Sequence, residues 1–161
     1  MTEALYPEPS FASHEGTKTR RLRDENVERV AALAVDCGLR VHRALGPGLL
    51  EKVYEAVLAD CLVSRGLHVE RQKPVDVIFE GRVVRDGFVI DLLVDHRLII
   101  EVKAVERPAP VHGKQVLTYL RLTDLPLGLL MNFGEETFRA GLRRIANDYY
   151  AQGSAEDAPT P

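Results

Sequence analysis

The chain is short of the features that mark exported, membrane-spanning or strongly basic proteins. It has no apolar run of the ~18–20 residues needed to cross a bilayer. Its opening stretch, MTEALYPEPSFASHEG, has neither the basic start nor the apolar core of a signal peptide. Only two cysteines occur, Cys37 and Cys61, each within a helix-like apolar pattern. Buried free thiols are expected there, ahead of a disulfide or a metal pair, and with them a reducing cytoplasm. Charge of one sign is also missing: 21 Lys and Arg stand against 24 Asp and Glu, a net charge of −3. That excludes a globally basic nucleic-acid sleeve, although a local site needs only a patch. No internal repeat is present.

What remains is an ordinary globular composition, 45% hydrophobic and 28% charged over 161 residues. One domain is expected, large enough to bury a core without disulfides or structural zinc. Residues 1–23, with Pro7, Pro9, Ser10, Gly16 and a basic cluster offset by nearby acids, read as a flexible tail. Residues 151–161 read as a second tail. The domain between them, 24–150, is close to neutral, with 17 basic and 18 acidic residues in 25–150.

Along that domain, Val27, Val30, Ala34, Cys37, Val41 and Leu45 recur at helical spacing, and Gly46-Pro47-Gly48 ends the helix. A second helix is expected over 49–65, closed by Gly66. Residues 67–79 alternate as a strand, Glu80-Gly81 forms a turn, and 83–94 and 97–103 form two more strands. Pro108 and Pro110 precede a helix over about 111–123. The continuous apolar run Leu127–Phe133 predicts a buried strand. Residues 137–150 suggest a short strand followed by a helix, ending in Leu142, Ile145 and Tyr149.

The segment Phe88–Lys103 carries the most chemistry. If Asp91 lies opposite Glu101 across a turn at Asp95-His96-Arg97, strand alternation puts Ile90, Leu92, Val94, Leu98, Ile100 and Val102 on one wholly apolar face. The other face then carries Asp91, Leu93, Ile99, Glu101 and Lys103. A two-residue loop would scramble this sorting, so an odd-length loop is predicted. A solvated outer face would explain the charges, but the flanking Leu93 and Ile99 argue for partial cover. Burying carboxylates without a compensating cation costs several kcal/mol each, on the order seen for buried ions.

On a helical wheel Glu51 falls inside the apolar arc of the second helix, between Leu58 and Leu62, with Tyr54 beside it and Glu55 at the edge. A helix-start Glu favoured by the macrodipole is the plain explanation. Its apolar neighbours nevertheless ask for a partner. Glu51, Asp91 and Glu101 against Lys103 leave two excess negative charges, which a divalent cation neutralises most simply. All-oxygen ligands favour Mg²⁺ or Mn²⁺ over zinc. Gln115 and Tyr119 share one side of the third helix with Val111 and Leu122, while Val116, Leu117 and Leu120 take the other. A helix apolar on both sides is largely buried, so Gln115 needs hydrogen bonds inside, as a core amide or toward the carboxylates. No two of the five histidines have metal-ligand spacing, and all are read as structural or solvent-facing.

Asp91, nine residues, then Glu101-Val102-Lys103 resembles the signature of the PD-(D/E)XK nuclease superfamily. Gly48-Leu49-Leu50-Glu51-Lys52-Val53-Tyr54 is similar to the G-x-x-E-x-x-Y motif of its GxxExxY branch. Val41–Gly48, Gln115–Leu120 and Gly128–Phe133 also resemble that branch, so the likeness covers about residues 26–147. Ile90 stands where the written motif has proline. The resemblance implies an α/β fold, a restriction-endonuclease-like mixed sheet flanked by helices in αβββαβ order, with an extra N-terminal helix here. It implies a nuclease hydrolysing phosphodiester bonds of DNA or RNA with Mg²⁺ or Mn²⁺. Asp91, Glu101, the Val102 carbonyl and Glu51 would hold the metal. Lys103 would orient the attacking water and stabilise phosphate charge. Gln115 and Tyr119 match a Q-x-x-x-Y element on the following helix, which would contact water or phosphate. Apart from the resemblance, Tyr54 reads as a core residue whose hydroxyl buttresses Glu51. The alternative is an inactive module of the same fold that binds nucleic acid or a protein. Cutting two strands would ask for two sites, as a homodimer provides, but no patch in the sequence names such an interface.

Overall fold

A computed structural model describes the backbone of residues 15–147 and the side chains from residue 25 onward. Helices α1 (Glu15–Leu45) and α2 (Glu51–Ser64) lead into strands β1 (Val69–Phe79), β2 (Arg82–Val94) and β3 (Leu98–Lys103). Helix α3 (Pro110–Thr123), strand β4 (Leu127–Asn132), the one-turn helix α4 (Phe138–Gly141) and strand β5 (Leu142–Ala146) follow. The five strands form one mixed sheet in the order β1-β2-β3-β4-β5. Only β3 and β4 run parallel, joined by α3 as a strand–helix–strand crossover. The expected architecture, a mixed sheet flanked by helices behind an extra N-terminal helix, is the one the chain forms.

The core has two parts because both sheet faces are covered. On one face Val30, Ala34, Cys37 and Val41 of α1 and Tyr54, Leu58 and Leu62 of α2 pack on Leu92, Val94, Leu98, Ile100, Val102, Leu129 and Met131. On the other, Val116 and Leu120 of α3 pack on Leu93, Ile99 and Ile90. This explains why β4 reads as a continuous apolar run and why even the charged residues of β3 are covered: neither strand has a wet side. Each fully buried Leu or Ile contributes about 1.5–3 kcal/mol.

Several boundaries differ from the sequence expectation. Helix α1 already runs from Glu15, so the domain start at residue 24 falls inside a helix. Residues 1–14 and 148–161, which include the 151–161 segment and Tyr149, lie outside the described residues. Leu45 is exposed rather than part of the apolar face. Helix α2 begins at Glu51, so Pro47 does not open it. At the C-terminal end the order is reversed, a short helix preceding a strand. Residues Leu142–Ala146 complete the sheet by pairing antiparallel with β4, and the free edge of β4 outweighs the helix-like spacing of Leu142 and Ile145. Thr137 caps α4, accepting from the Ala140 N–H at 3.2 Å. A Cβ at Gly141 would stand 2.0 Å from the carbonyl oxygen of Asn132, so only glycine allows this close pass.

The β1–β2 hairpin turns at Glu80-Gly81, both with positive φ (47° and 76°), the conformation that matches strand twist. Its register shifts between Val75 and Val77. Because β2 pairs with β3 only through Leu92, Leu93 and Val94, the rest of this hairpin projects beyond the sheet, with Ile78, Phe79, Val83 and Val84 exposed at its end.

Candidate active site

The β2–β3 connection is built as the alternation requires. Leu92 pairs with Ile100, Leu93 with Ile99 and Val94 with Leu98, which frames a three-residue loop at Asp95–Arg97. Five of the six residues assigned to the apolar face, Leu92, Val94, Leu98, Ile100 and Val102, lie in the α1–α2 core. Ile90 is the exception and packs with Leu93 and Ile99 toward α3. Strand alternation therefore breaks at Asp91. Opposite it on β1, Gln72 holds a left-handed φ of 47°, and the ladder lacks a Gln72–Asp91 pair between Arg71↔Leu92 and Lys73↔Ile90. A non-glycine residue in that conformation costs about 1–2 kcal/mol.

This break exposes the Asp91 carboxylate to its neighbours. Asp91 and Glu101 would be the next partners in register, but the ladder gives way there. Oδ2 of Asp91 accepts the backbone N–H of Val102 at 2.9 Å. Oδ1 accepts from Gln72 Nε2 at 3.3 Å. The same Gln72 amide donates to Glu55 Oε2 at 2.7 Å, and Arg71 Nε donates to Glu55 Oε1 at 3.1 Å. Glu101 is 3% exposed, and its Oε1 pairs with Lys103 Nζ at 2.8 Å. Its other oxygen, Oε2, is buried without a hydrogen-bond partner among the described residues.

Glu101 alone pairs with the Lys103 ammonium, and Asp91 and Glu51 act on both through their fields; among the described residues the oxygens of the three carboxylates do not gather within 4.8 Å of one another. Burial pushes the Glu101 carboxyl above the usual range; the Lys103 hydrogen bond opposes this, while Asp91 and Glu51 add to it. Burial alone would lower the Lys103 pKa, but its bond to Glu101 and the fields of Glu101, Glu51 and Asp91 outweigh that and hold it above the usual lysine value. The lysine is thus held charged, and the carboxylates remain under-compensated. A buried carboxylate oxygen without a donor, in an excess of negative charge, fits a hard divalent cation.

Other expectations need correction. Glu51 is the first residue of α2 and is exposed; the buried carboxylate of that helix is Glu55. The apolar arc of α2 continues to Glu51 in sequence, but the buried side of its first turn is taken by Tyr54 and Glu51 itself stays exposed. Tyr54 is fully buried, yet its hydroxyl does not reach Glu51. It donates to the Gly46 carbonyl at 2.5 Å and accepts from the Leu49 N–H at 3.1 Å, holding the loop that leads into Glu51. The ring stacks on Phe133 with centroids 4.7 Å apart.

Helix α3 is not buried on both sides. Val111 and Leu122 are exposed, and Gln115 and Tyr119 are half-buried. Gln115 Nε2 donates to the Tyr119 hydroxyl at 2.5 Å, and Tyr119 stacks on Phe88 at 4.1 Å. One donor of the amide is therefore met within its own helix.

Arg71, Gln72 and Asn132 carry no sequence signal that marks them for the site. Glu55, one turn after Glu51 and at the edge of the arc, was the available signal. Asn132 accepts from the Val105 N–H at 2.9 Å and donates to the Val105 carbonyl at 2.7 Å. It thereby fixes the chain two residues beyond Lys103.

The histidines also separate. His42 is structural as expected, buried with Nε2 2.9 Å from the Glu135 carbonyl. His112 bonds back to the Ala109 N–H at 3.2 Å. His68 and His96, distant in sequence, come together with Glu70, their donor atoms all within 4.8 Å of one another.

A mixed sheet with an Asp on β2, a Glu-x-Lys on the adjoining β3 and flanking helices defines a restriction-endonuclease-like protein. The match agrees: the chain belongs to the PD-(D/E)XK nuclease superfamily, whose family model matches residues 28–145. No curated protein matches the chain. Nucleases of this superfamily are generally divalent-metal dependent, and their fold points to a nucleic-acid substrate. Among the described residues no helix is long and apolar enough to cross a membrane.

Proposed function

We propose that this protein is a divalent-metal-dependent nuclease of the GxxExxY branch, hydrolysing phosphodiester bonds of DNA or RNA. The observation that carries the reading is the buried, donor-less Oε2 of Glu101 beside Asp91 and Lys103. The branch assignment rests on Gly48–Tyr54, whose tyrosine holds the loop that leads into the motif's glutamate. Asp91, Glu101, the Val102 carbonyl and Glu51 are the groups that would hold Mg²⁺ or Mn²⁺. When bound, such an ion lowers the pKa of water and neutralises charge on the phosphate.

The chain's own residues supply the rest. Lys103, kept charged by its carboxylate neighbours, offers a fixed cation for the charge that develops on the phosphate and a donor to orient water. Asp91 and Gln72 hold β3 and β1 in place around it. Gln115 and Tyr119, bonded to each other and half-buried, are assigned to contact with water or phosphate. A cytoplasmic setting accords with the two free cysteines.

The test is a cleavage panel of single- and double-stranded DNA, RNA and branched junctions, with Mg²⁺ or Mn²⁺ and with EDTA. Cleavage of at least one substrate is expected with metal and none with EDTA. Lys103→Ala should reduce it by roughly 100-fold or more. Cleavage that survives Lys103→Ala would point to a contaminant or another site and overturn the assignment of these residues, and tight binding without cleavage would replace this reading with that of a binding module.

A further inference from the structure

We propose a second metal site, specific for a borderline divalent ion such as Zn²⁺, formed by His68, Glu70 and His96 at the closed end of the β2–β3 hairpin. It is independent of the carboxylate site. The strand from Val94 to Asp91 alone separates the two by ~10 Å.

The donors come from two places. His68 immediately precedes β1, Glu70 is the second residue of β1, and His96 is the middle residue of the three-residue loop. One donor atom from each lies within 4.8 Å of the other two. The imidazoles of His68 and His96 stack with centroids 4.6 Å apart and planes inclined by 27°. His96 Nδ1 stands 3.1 Å from Glu70 Oε1. That oxygen is buried and makes no aligned hydrogen bond, so it is a free acceptor aimed at the imidazole cluster. The other Glu70 oxygen is already taken by the ammonium of Lys73.

The backbone is arranged beforehand. The His68 N–H donates to Asp95 Oδ1 at 2.8 Å, and the Asp95 N–H donates to the His68 carbonyl at 2.8 Å. This two-way clasp holds the loop against the start of β1 and sets the spacing of the two histidines. His96 has a left-handed φ of 55°. Both histidines are exposed, so small side-chain rotations onto a common ion cost little. Two imidazoles and one carboxylate are the donor set of borderline ions such as Zn²⁺, not of Mg²⁺, and three protein ligands leave a coordination position for water. The neighbouring Lys73 ammonium opposes a cation, so its removal should tighten binding.

The experiment is Zn²⁺ titration of the whole chain by calorimetry in excess Mg²⁺, with Co²⁺ absorption to report the ligand type. One equivalent of Zn²⁺ is expected, with a Co²⁺ spectrum free of thiolate charge transfer. His68→Ala and His96→Asn, the latter chosen because Asn tolerates the left-handed loop, should each weaken Zn²⁺ binding roughly tenfold or more. Lys73→Met should strengthen it, and Glu101→Gln should leave it unchanged. Absence of Zn²⁺ binding, affinity unchanged in both histidine variants, or a loss seen only in Glu101→Gln would overturn the proposal. Because the parent's cleavage is read separately, failure here leaves the nuclease reading intact, and the reverse also holds.

Discussion

The Asp91 carboxylate takes the backbone N–H of Val102 at 2.9 Å, at the point where the β2–β3 ladder stops. One side chain thus replaces a strand hydrogen bond and fixes the course of β3 between Glu101 and Lys103. Asp91→Ala should strand a half-buried N–H and cost about 1–3 kcal/mol in urea unfolding. Asp91→Asn, which keeps an acceptor oxygen, should cost less. Both should lose cleavage. Equal stability of Asp91→Ala and the parent would show that solvent serves Val102 instead.

The Glu101 carboxyl, raised by burial and by Asp91 and Glu51, gives a stability effect of definite sign. Below the ordinary value of 4.5, folded and unfolded Glu101 are both protonated and resemble glutamine. As pH rises from there the unfolded chain gives up its proton first, so folding becomes less favourable until the raised folded pKa is passed. The stability of Glu101→Gln relative to the parent should therefore grow across that window and level off above it, in metal-free buffer. Lys103 stays charged throughout and does not contribute to the slope. Chemical denaturation of both proteins at a series of pH values measures this. A difference that falls with pH would contradict the burial of Glu101. On the proposed function, Mg²⁺ should stabilise the parent and not the variant.

Tyr54 acts at one remove. Its hydroxyl closes Gly46 to Leu49, and the loop so held delivers Glu51. Tyr54→Phe keeps the stacking on Phe133 but leaves a carbonyl and an N–H unpartnered. Because Gly46 is half-buried and Leu49 exposed, water can serve both groups, and a loss of about 0.5–1.5 kcal/mol is expected by thermal or urea unfolding. Displacement of the start of α2 should also lower kcat, by up to ~100-fold if the glutamate moves by about 1 Å. Wild-type kcat in a destabilised Tyr54→Phe protein would show that the loop does not position Glu51.

Much of this was legible because it is local. Period-2 alternation from Leu92 to Val102 demanded an odd loop, and the loop has three residues. The unbroken run from Leu127 announced a strand covered on both faces. Glu101 and Lys103, two apart on one strand, had to share a side, and they form an ion pair. Other features were not legible. The wheel placed Glu51 in an apolar arc, but whether a first turn is covered depends on where the neighbouring strands end. Ile90 left its expected face because a left-handed residue on the partner strand disrupted the pleat, and Gln72 has no sequence mark of that conformation.

By itself, then, the sequence determined the element periods, the parity of the central loop, and the acidic and basic residues that the hairpin would carry side by side. These follow from side-chain alternation and helical spacing, which operate over a few residues. Only the tertiary structure decided which carboxylate of α2 is buried, that Gln72 bridges Glu55 to Asp91, and that His68 and Glu70 meet His96. Those depend on strand pairing across tens of residues, where loop closure and register, rather than local pattern, set the distances.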